Sequence, residues 1–344
     1  MDTTSDHTVR LSIIVPAHNN CASLARCLSA LRAEVPPDSE LIVVDDASTD
    51  ATPGVASASG AQVLRLGKNS GPGAARNLGA AQASGEVLLF VDADVVVAAG
   101  ALDRVTDAFA LDPTLAALFG SYDDDPEASS LLSRYRNLLH HFVHQAGDTE
   151  ASTFWAGLGA VRRSVFVSVN GFDAARFPRP SIEDIELGYR LRRAGHRIRL
   201  DKGLQGKHLK HWSFWSMLRT DVMQRALPWS RLILDTQHAP VDLNLRTSQR
   251  LCGALSGVAL AAFAAAPRWP SLLGVGGIAL SAIAVVNRQF YALLWRRGGW
   301  RLTGLGFVLH VLYFIYSSAS FAYAALERRL WISPARRSSR TDSP

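Results

Sequence analysis

The sequence predicts an α/β domain, with a mainly parallel sheet and helices on both faces, followed by transmembrane helices toward the C-terminus. Two observations carry this. Short apolar runs alternate with segments of helical spacing over the first part of the chain, the pattern of parallel strands joined by crossover helices. After Leu251 the composition shifts to nearly unbroken apolar stretches. At 344 residues the chain has room for about two folding units.

Leu11–Pro16 (LSIIVP) reads as a strand ended by proline, and Cys21–Arg32 has apolar residues at helical spacing before the Pro36-Pro37 break. Leu41–Val44 (LIVV) is the second strand and ends in Asp45-Asp46, after which Thr49 and Asp50 offer capping chemistry. Val63–Leu66 is the third strand, ahead of a glycine-rich stretch, and Val87–Val91 (VLLFV) is a buried fourth that runs into Asp92-Ala93-Asp94. Ligands of such sheets bind beyond the carboxyl ends of the strands, where these polar clusters fall. Between Leu102 and Glu150 the signals are a helix, a strand near Leu115–Gly120, an acidic loop Asp123–Asp125 and a helix carrying His140, His141 and His144. Those histidines have no acidic residue at ligand spacing and read as surface or satisfied helix residues.

Three apolar segments follow, Leu251–Ala266, Ser271–Val286 and Leu302–Leu326. A spanning helix needs about 20 apolar residues. Only the third meets that length alone; the first two read as a hairpin across Pro267-Arg268-Trp269-Pro270, leaving two or three crossings, or a re-entrant segment, open. Buried core helices of a soluble protein are the alternative. The net charge of +6 is concentrated in arginines around these segments, including Arg288, Arg296, Arg297, Arg301, Arg328 and Arg329. This suits anionic lipid, and no nucleic-acid motif accompanies it. No signal-peptide pattern precedes Leu11, which predicts a multi-pass cell-membrane protein with a cytoplasmic catalytic domain. Cys21, Cys27 and Cys252 match no disulfide or zinc spacing and read as reduced thiols. The expected divisions are a disordered 1–10, an α/β domain over 11–232, a linker or interfacial segment 233–250, a membrane region 251–326 and a basic polar tail 327–344.

The carboxylates of Asp92 and Asp94, one residue apart after a buried strand, can project to the same side of an extended backbone. Such a pair suits Mg2+ or Mn2+, which keeps open positions for the phosphates of a substrate. A carboxylate of Asp45-Asp46 is placed to accept from a pyrimidine base, the other to cap the next helix. Asn69–Asn77 supplies a flexible turn and then Arg76 at a helix start, where backbone N–H groups and guanidinium can meet phosphate. Walker A and GxGxxG patterns are absent, which removes P-loop and dinucleotide readings.

In order and spacing, Ser12–Asn19 (SIIVPAHN), Val43–Asp50 (VVDDASTD), Gly73–Asn77 (GAARN) and Asp92-Ala93-Asp94 resemble the motifs of family 2 glycosyltransferases. The resemblance covers about Leu11–Trp229 and implies a GT-A fold. It implies that Pro16, Ala17, Asn19 and Asp46 hold the nucleoside, that Arg76 lies near the nucleotide, that Asp92 lies near ribose and metal, and that Asp94 ligates the metal. Trp155-Ala156-Gly157, Gly171-Phe172-Asp173 and Glu183–Leu191 (EDIELGYRL) resemble the acceptor side of the same family, where the carboxylate of the Glu-Asp pair is the general base. An acceptor hydroxyl must lose its proton as it attacks the anomeric carbon; Asp184 is the first candidate for that role and Glu183 the reserve. Glu186 and Arg190, at i and i+4, read as a packing or surface pair. By the same resemblance His208, or His211, supplies a further metal or diphosphate contact. Gln224, Arg225 and Trp229 are similar in position to the QxxRW motif of processive members, but the spacing departs from it. An amphipathic interfacial helix with Trp212, Trp215 and Trp229 at headgroup depth explains that stretch equally well.

The expected function is transfer of a sugar from a nucleotide-diphosphate sugar to a glycan hydroxyl or lipid phosphate, as in cell-envelope glycan assembly, with a divalent cation and inversion of the anomeric centre. Two competitors are a sugar-1-phosphate nucleotidyltransferase and a catalytically inactive nucleotide-binding membrane scaffold. The first lacks its phosphate loop after the first strand; the second has no use for Asp92, Asp94 and Asp184.

Overall fold

A computed structural model describes residues 9–237, 240 and 242–338, with side chains as far as Leu330. The chain divides into two compact units between His211 and Trp212. The expected disorder of 1–10 falls mainly on residues outside the described ones, as does the end of the expected tail.

The first unit begins with β1 (Leu11–Ala17), α1 (Cys21–Glu34), β2 (Glu40–Asp45), α2 (Thr52–Ala58), β3 (Gln62–Arg65), α3 (Pro72–Gln82) and β4 (Val87–Val91). These four strands are parallel, in the order β3-β2-β1-β4. β1 is buried along its whole length because both its faces are covered. Leu11, Ile13 and Val15 pack into one core with Leu24, Leu28 and Leu31 of α1 and with Leu102, Val105 and Phe109 of α4 (Ala101–Leu111). Ile14 faces the other way, against Gly79 of α3, where a Cβ would come within 2.6 Å of it. This alternation is the period of two that a strand imposes.

The expectation of a mainly parallel sheet needs correction, since beyond β4 the sheet is mixed. It continues with β7 (Leu158–Arg162), β6 (Leu115–Tyr122), β8 (Arg197–His208) and β5 (Val95–Val97). β7 runs antiparallel to both β4 and β6, β6 and β8 are parallel, and β5 is antiparallel to β8. The reason is the connection between β4 and β5. Only Asp92-Ala93-Asp94 separates them, which is too short for the crossover that a parallel neighbour requires. The chain turns there, with Val95 N–H donating to the Asp92 carbonyl at 2.9 Å, and leaves for the far edge of the sheet. β7 was hidden because it is short; β8 because it carries six Lys, Arg, Asp and His side chains among its twelve residues. The remaining helices of this unit are α5 (Leu131–Ala146), α6 (Arg163–Ser168) and α7 (Glu183–Arg193).

The second unit is helical. α8 (Phe214–Arg219) passes into a π-helical segment, Thr220–Ala226, and then into α9 (Leu227–Thr236). α10 (Thr247–Ala265), α11 (Leu272–Val286) and α12 (Arg288–Ser338) follow. Cys252, Ile283 and Phe314 form a small core among the last three. Within α12, Gly299 has a non-helical backbone (φ 62°, ψ −160°), so the element is two helices meeting at that residue. Among the described residues, one helical element is long and apolar enough to cross a membrane by length and composition, Arg288–Leu330, which includes the break at Gly299. This agrees with the expectation that the third apolar segment alone has the length to span. α11 has 15 residues; at about 1.5 Å per residue it falls short of a hydrocarbon core of about 30 Å. α10 begins with Thr247-Ser248-Gln249-Arg250, which shortens its apolar part.

Candidate active site

The carboxyl ends of β1, β2, β4 and β8 meet at one edge of the first unit. At the end of β2 the two aspartates divide their work. Asp45 accepts from Ser48 N–H at 3.1 Å and pairs with Arg65, so it organises the turn. Asp46 accepts from the backbone N–H groups of Ser70 and Gly71 at 2.7 and 2.8 Å, clamping the glycine-rich loop. Gly71 is required there: its φ is +87°, and a Cβ would lie 2.7 Å from the Pro178 carbonyl oxygen. The loop after β1 joins the same cluster. Pro16 and Ala17 lie in register with Val44 and Asp45. Asn19, at φ 48°, donates its N–H to Ser48 Oγ and accepts from Thr49 N–H through its side chain. His18 Nδ1–H donates to the Asp46 carbonyl at 2.7 Å.

Arg76, on α3, is buried rather than displayed to solvent. Its Nη2 donates to Asp92 Oδ1 at 2.6 Å and its Nη1 to Glu183 Oε1 at 3.1 Å. The expectation that Arg76 meets phosphate is thus set against a guanidinium already engaged by two carboxylates. Asn77, next in the chain, both donates to and accepts from the backbone of Phe172, at 2.8 and 2.9 Å. The sequence reading gave Asn77 no role; its position directly after Arg76 in the Gly-Ala-Ala-Arg-Asn run was the available signal.

Asp92-Ala93-Asp94 is a turn and not an extended strand, and its two carboxylates have different partners. Asp92 faces Arg76, whereas Asp94 Oδ2 lies 3.5 Å from His208 Nε2. β5 holds this second pair in place: Val95 is registered with His208, and Leu209 N–H donates to the Asp94 carbonyl at 2.9 Å. Burial raises the Asp94 carboxyl, but the His208 contact outweighs it and holds the group below its ordinary range. Among the described residues no three His, Cys, Asp or Glu side chains are grouped to hold a metal ion. One carboxylate and one imidazole nevertheless fit a Mg2+ or Mn2+ that takes its other ligands from water and substrate phosphates, as these ions commonly do. His211 is exposed, while His208 is buried.

The segment after Phe154 joins the two halves. Gly157 accepts from Asp92 N–H at 3.0 Å, and Ala156 N–H donates to Asp184 Oδ2 at 3.2 Å. A Cβ on Gly157 would stand 2.5 Å from the Trp155 ring, so glycine is needed for the backbone to pass. Asp184 Oδ1 accepts from Ile185 N–H at 2.8 Å. Burial, and then the adjacent Glu183 carboxylate, push Asp184 up to about 7. Glu183 is deeper, its two oxygens taken by Arg76 and by Ser181 N–H. Arg190 pairs with Glu186 at 2.7 Å and also donates to the carbonyls of Val169 and Gly171, so the pair packs the turn before Phe172. Of the helix histidines, His141 and His144 donate to the carbonyls of Tyr122 and Gly120, and His140 packs its ring at a tilt against those of Tyr122 and Trp155. Gln224 and Arg225 lie on the π-helical segment and Trp229 on α9, in the second unit.

Residues 12–169 match the sequence profile of Glycosyl transferase family 2. The first unit is a family 2 glycosyltransferase domain with a GT-A-type α/β fold. Among curated relatives, the pre-mycofactocin glycosyltransferase of Mycobacterium tuberculosis is 30% identical over 202 residues, taking in 56% of this chain and 41% of that protein. The chain therefore spans less than half the length of this relative. Among solved structures, the mannosyltransferase PcManGT from Pyrobaculum calidifontis, in complex with GDP-Man and Mn2+, aligns with a TM-score of 0.60 at 19% identity over 92% of this chain and 88% of its own. S. aureus TarS 1-349 aligns at 0.51 and 18% identity, over 93% and 91%.

Proposed function

We propose that the protein transfers a glycosyl group from a nucleoside-diphosphate sugar to an acceptor hydroxyl or lipid phosphate, in one inverting displacement at the cytoplasmic face of a membrane. The observation that carries this is the convergence, at one sheet edge, of the Asp46-clamped loop, the Asp94–His208 pair and Asp184. The loop around Pro16, Ala17, Asn19 and Asp46 receives the nucleoside. Asp94 and His208 would hold a divalent cation, which neutralises the diphosphate as it leaves. Asp184 takes the proton of the acceptor hydroxyl, a role its high proton affinity suits at neutral pH. Glu183, with both oxygens occupied, holds Arg76 instead. Among the described residues Asp184 is the one base so placed and no second nucleophile accompanies it, so the displacement proceeds in one step, hence with inversion.

The C-terminal apolar helix supports attachment to a membrane. In the segment before it, Trp215 is 74% exposed and Met223 59%, as suits residues that rest in a lipid interface. A membrane-resident acceptor gives such attachment a purpose.

The experiment is release of nucleoside diphosphate by the detergent-purified full chain with Mn2+ or Mg2+, across UDP-, GDP- and TDP-sugars, with GDP-mannose first. Metal-dependent release from one donor, absent in Asp94→Ala, supports the transferase. Nucleotide binding without release from any donor, with membrane lipid extract present, supports the inactive scaffold.

A further inference from the structure

Tyr122 closes β6 and His208 closes β8, and their rings lie face to face with centroids 4.2 Å apart and planes 9° from parallel. An imidazole binds a cation only along the in-plane lone pair of its nitrogen, so the plane of the ring decides where a shared ion can sit. The backbone beside His208 is already fixed against Asp94 through Leu209. Rotation of the ring remains to be controlled, and a flat face in parallel contact controls it. Tyr122 is itself held. It is 7% exposed, its carbonyl accepts from His141 Nδ1–H at 2.7 Å, and Trp155 meets its ring edge-on at 4.9 Å. His140 packs on the ring at 4.3 Å.

We propose that Tyr122 is a positioning residue for the cation site: its ring sets the plane of the His208 imidazole so that Nε2 and Asp94 Oδ2 address the same ion. The proposal rests on the reading of Asp94 and His208 as metal ligands. It gives the histidines of α5 and the ring of Trp155 a purpose, since His140, His141 and Trp155 then act through Tyr122 as a brace behind the ligand.

The test is Mn2+ alone, titrated into the detergent-solubilised full chain and followed by water-proton relaxation, with thermal melting measured in parallel. Wild type is compared with Tyr122→Phe, which keeps the flat face, with Tyr122→Leu, which keeps apolar bulk without it, and with Asp94→Asn. The expected result is affinity for Tyr122→Phe within about twofold of wild type and a loss of about tenfold in Tyr122→Leu, the low end for an outer partner of a metal ligand. Should Tyr122→Leu not fold, Tyr122→Met, which fills the space with a flexible chain, takes its place under the same expectation. Wild-type affinity in the Leu or Met variant, with loss in Asp94→Asn, overturns the positioning role and leaves the metal site standing. Equal Mn2+ binding by wild type and Asp94→Asn overturns both.

Discussion

The Arg76 guanidinium donates to Asp92 at 2.6 Å from a buried position on α3, and its other nitrogen reaches Glu183. One cation thereby ties the end of β4 to the start of α7, where Asp184 follows Glu183. A buried carboxylate, Glu183, and a half-buried one, Asp92, repel unless a cation lies between them. Removing Arg76 leaves that repulsion uncompensated.

Arg76→Met is therefore expected to destabilise the first unit by about 3–5 kcal/mol, the usual cost of breaking a buried pair by deleting one partner. Asp92, with its side chain 31% exposed, pulls the figure toward the lower end. Arg76→Lys restores charge but not the fork that addresses two carboxylates, and falls between. Denaturant melts of the three proteins check the order. Equal stability of Arg76→Met and wild type would remove the bridging role.

Asp184 gives a pH prediction with a definite sign. As a base it must be ionised, and its folded value stands near 7, so turnover should rise as pH climbs through about 7. Asp184→Asn should lose about 10²–10⁴ in kcat, the span for a positioned general base, and lose the rising limb. Stability runs the other way. An unfolded aspartate titrates near about 3.9, so between about pH 4 and 7 the native state binds the extra proton and stability falls as pH rises. Asp184→Asn removes that slope. Its melting temperature relative to wild type should thus increase from pH 5 to pH 8, and a flat difference would show that Asp184 is not held protonated.

The parallel half of the sheet was legible because β1, β2 and β4 are built on short apolar runs that end in polar clusters. The other half was not. β8 alternates charged and apolar residues for a half-exposed position, and β7 is five residues long. Of the site, residue types and order could be read, whereas directions could not. Asp92 and Asp94 look alike as a tripeptide, yet the turn between β4 and β5 sends one to Arg76 and the other to His208. Tyr122 carried no signal, because its importance depends on β6 and β8 ending side by side.

Cation removal separates Asp94 from Asp92. Chelator treatment should abolish nucleoside-diphosphate release, and Mn2+ should restore it. His208→Ala is expected to raise the Mn2+ concentration for half-maximal release by more than the roughly tenfold that even an outer partner costs. Asp92→Asn, which loses charge facing Arg76, should shift that concentration less than Asp94→Asn does. Equal shifts would mean that both carboxylates turn to the ion when substrate binds.

The pair Glu186–Arg190 tests whether a contact near the site is structural. Arg190 holds Glu186 and the carbonyls of Val169 and Gly171, flanking a turn in which Asn170 and Gly171 both have positive φ. Those carbonyls lose their donor in Arg190→Met, and Glu186, 8% exposed, loses its counter-charge. A destabilisation of about 1–3 kcal/mol is expected, the cost of leaving buried polar groups unsatisfied. Because Phe172 follows the turn and is clamped by Asn77, the loss should reach the site only as disorder of that segment. The pH profile of release, set by Asp184, should keep its midpoint while the amplitude falls. A moved midpoint in Arg190→Met would place the pair in the electrostatics of the base and not only in the packing behind it.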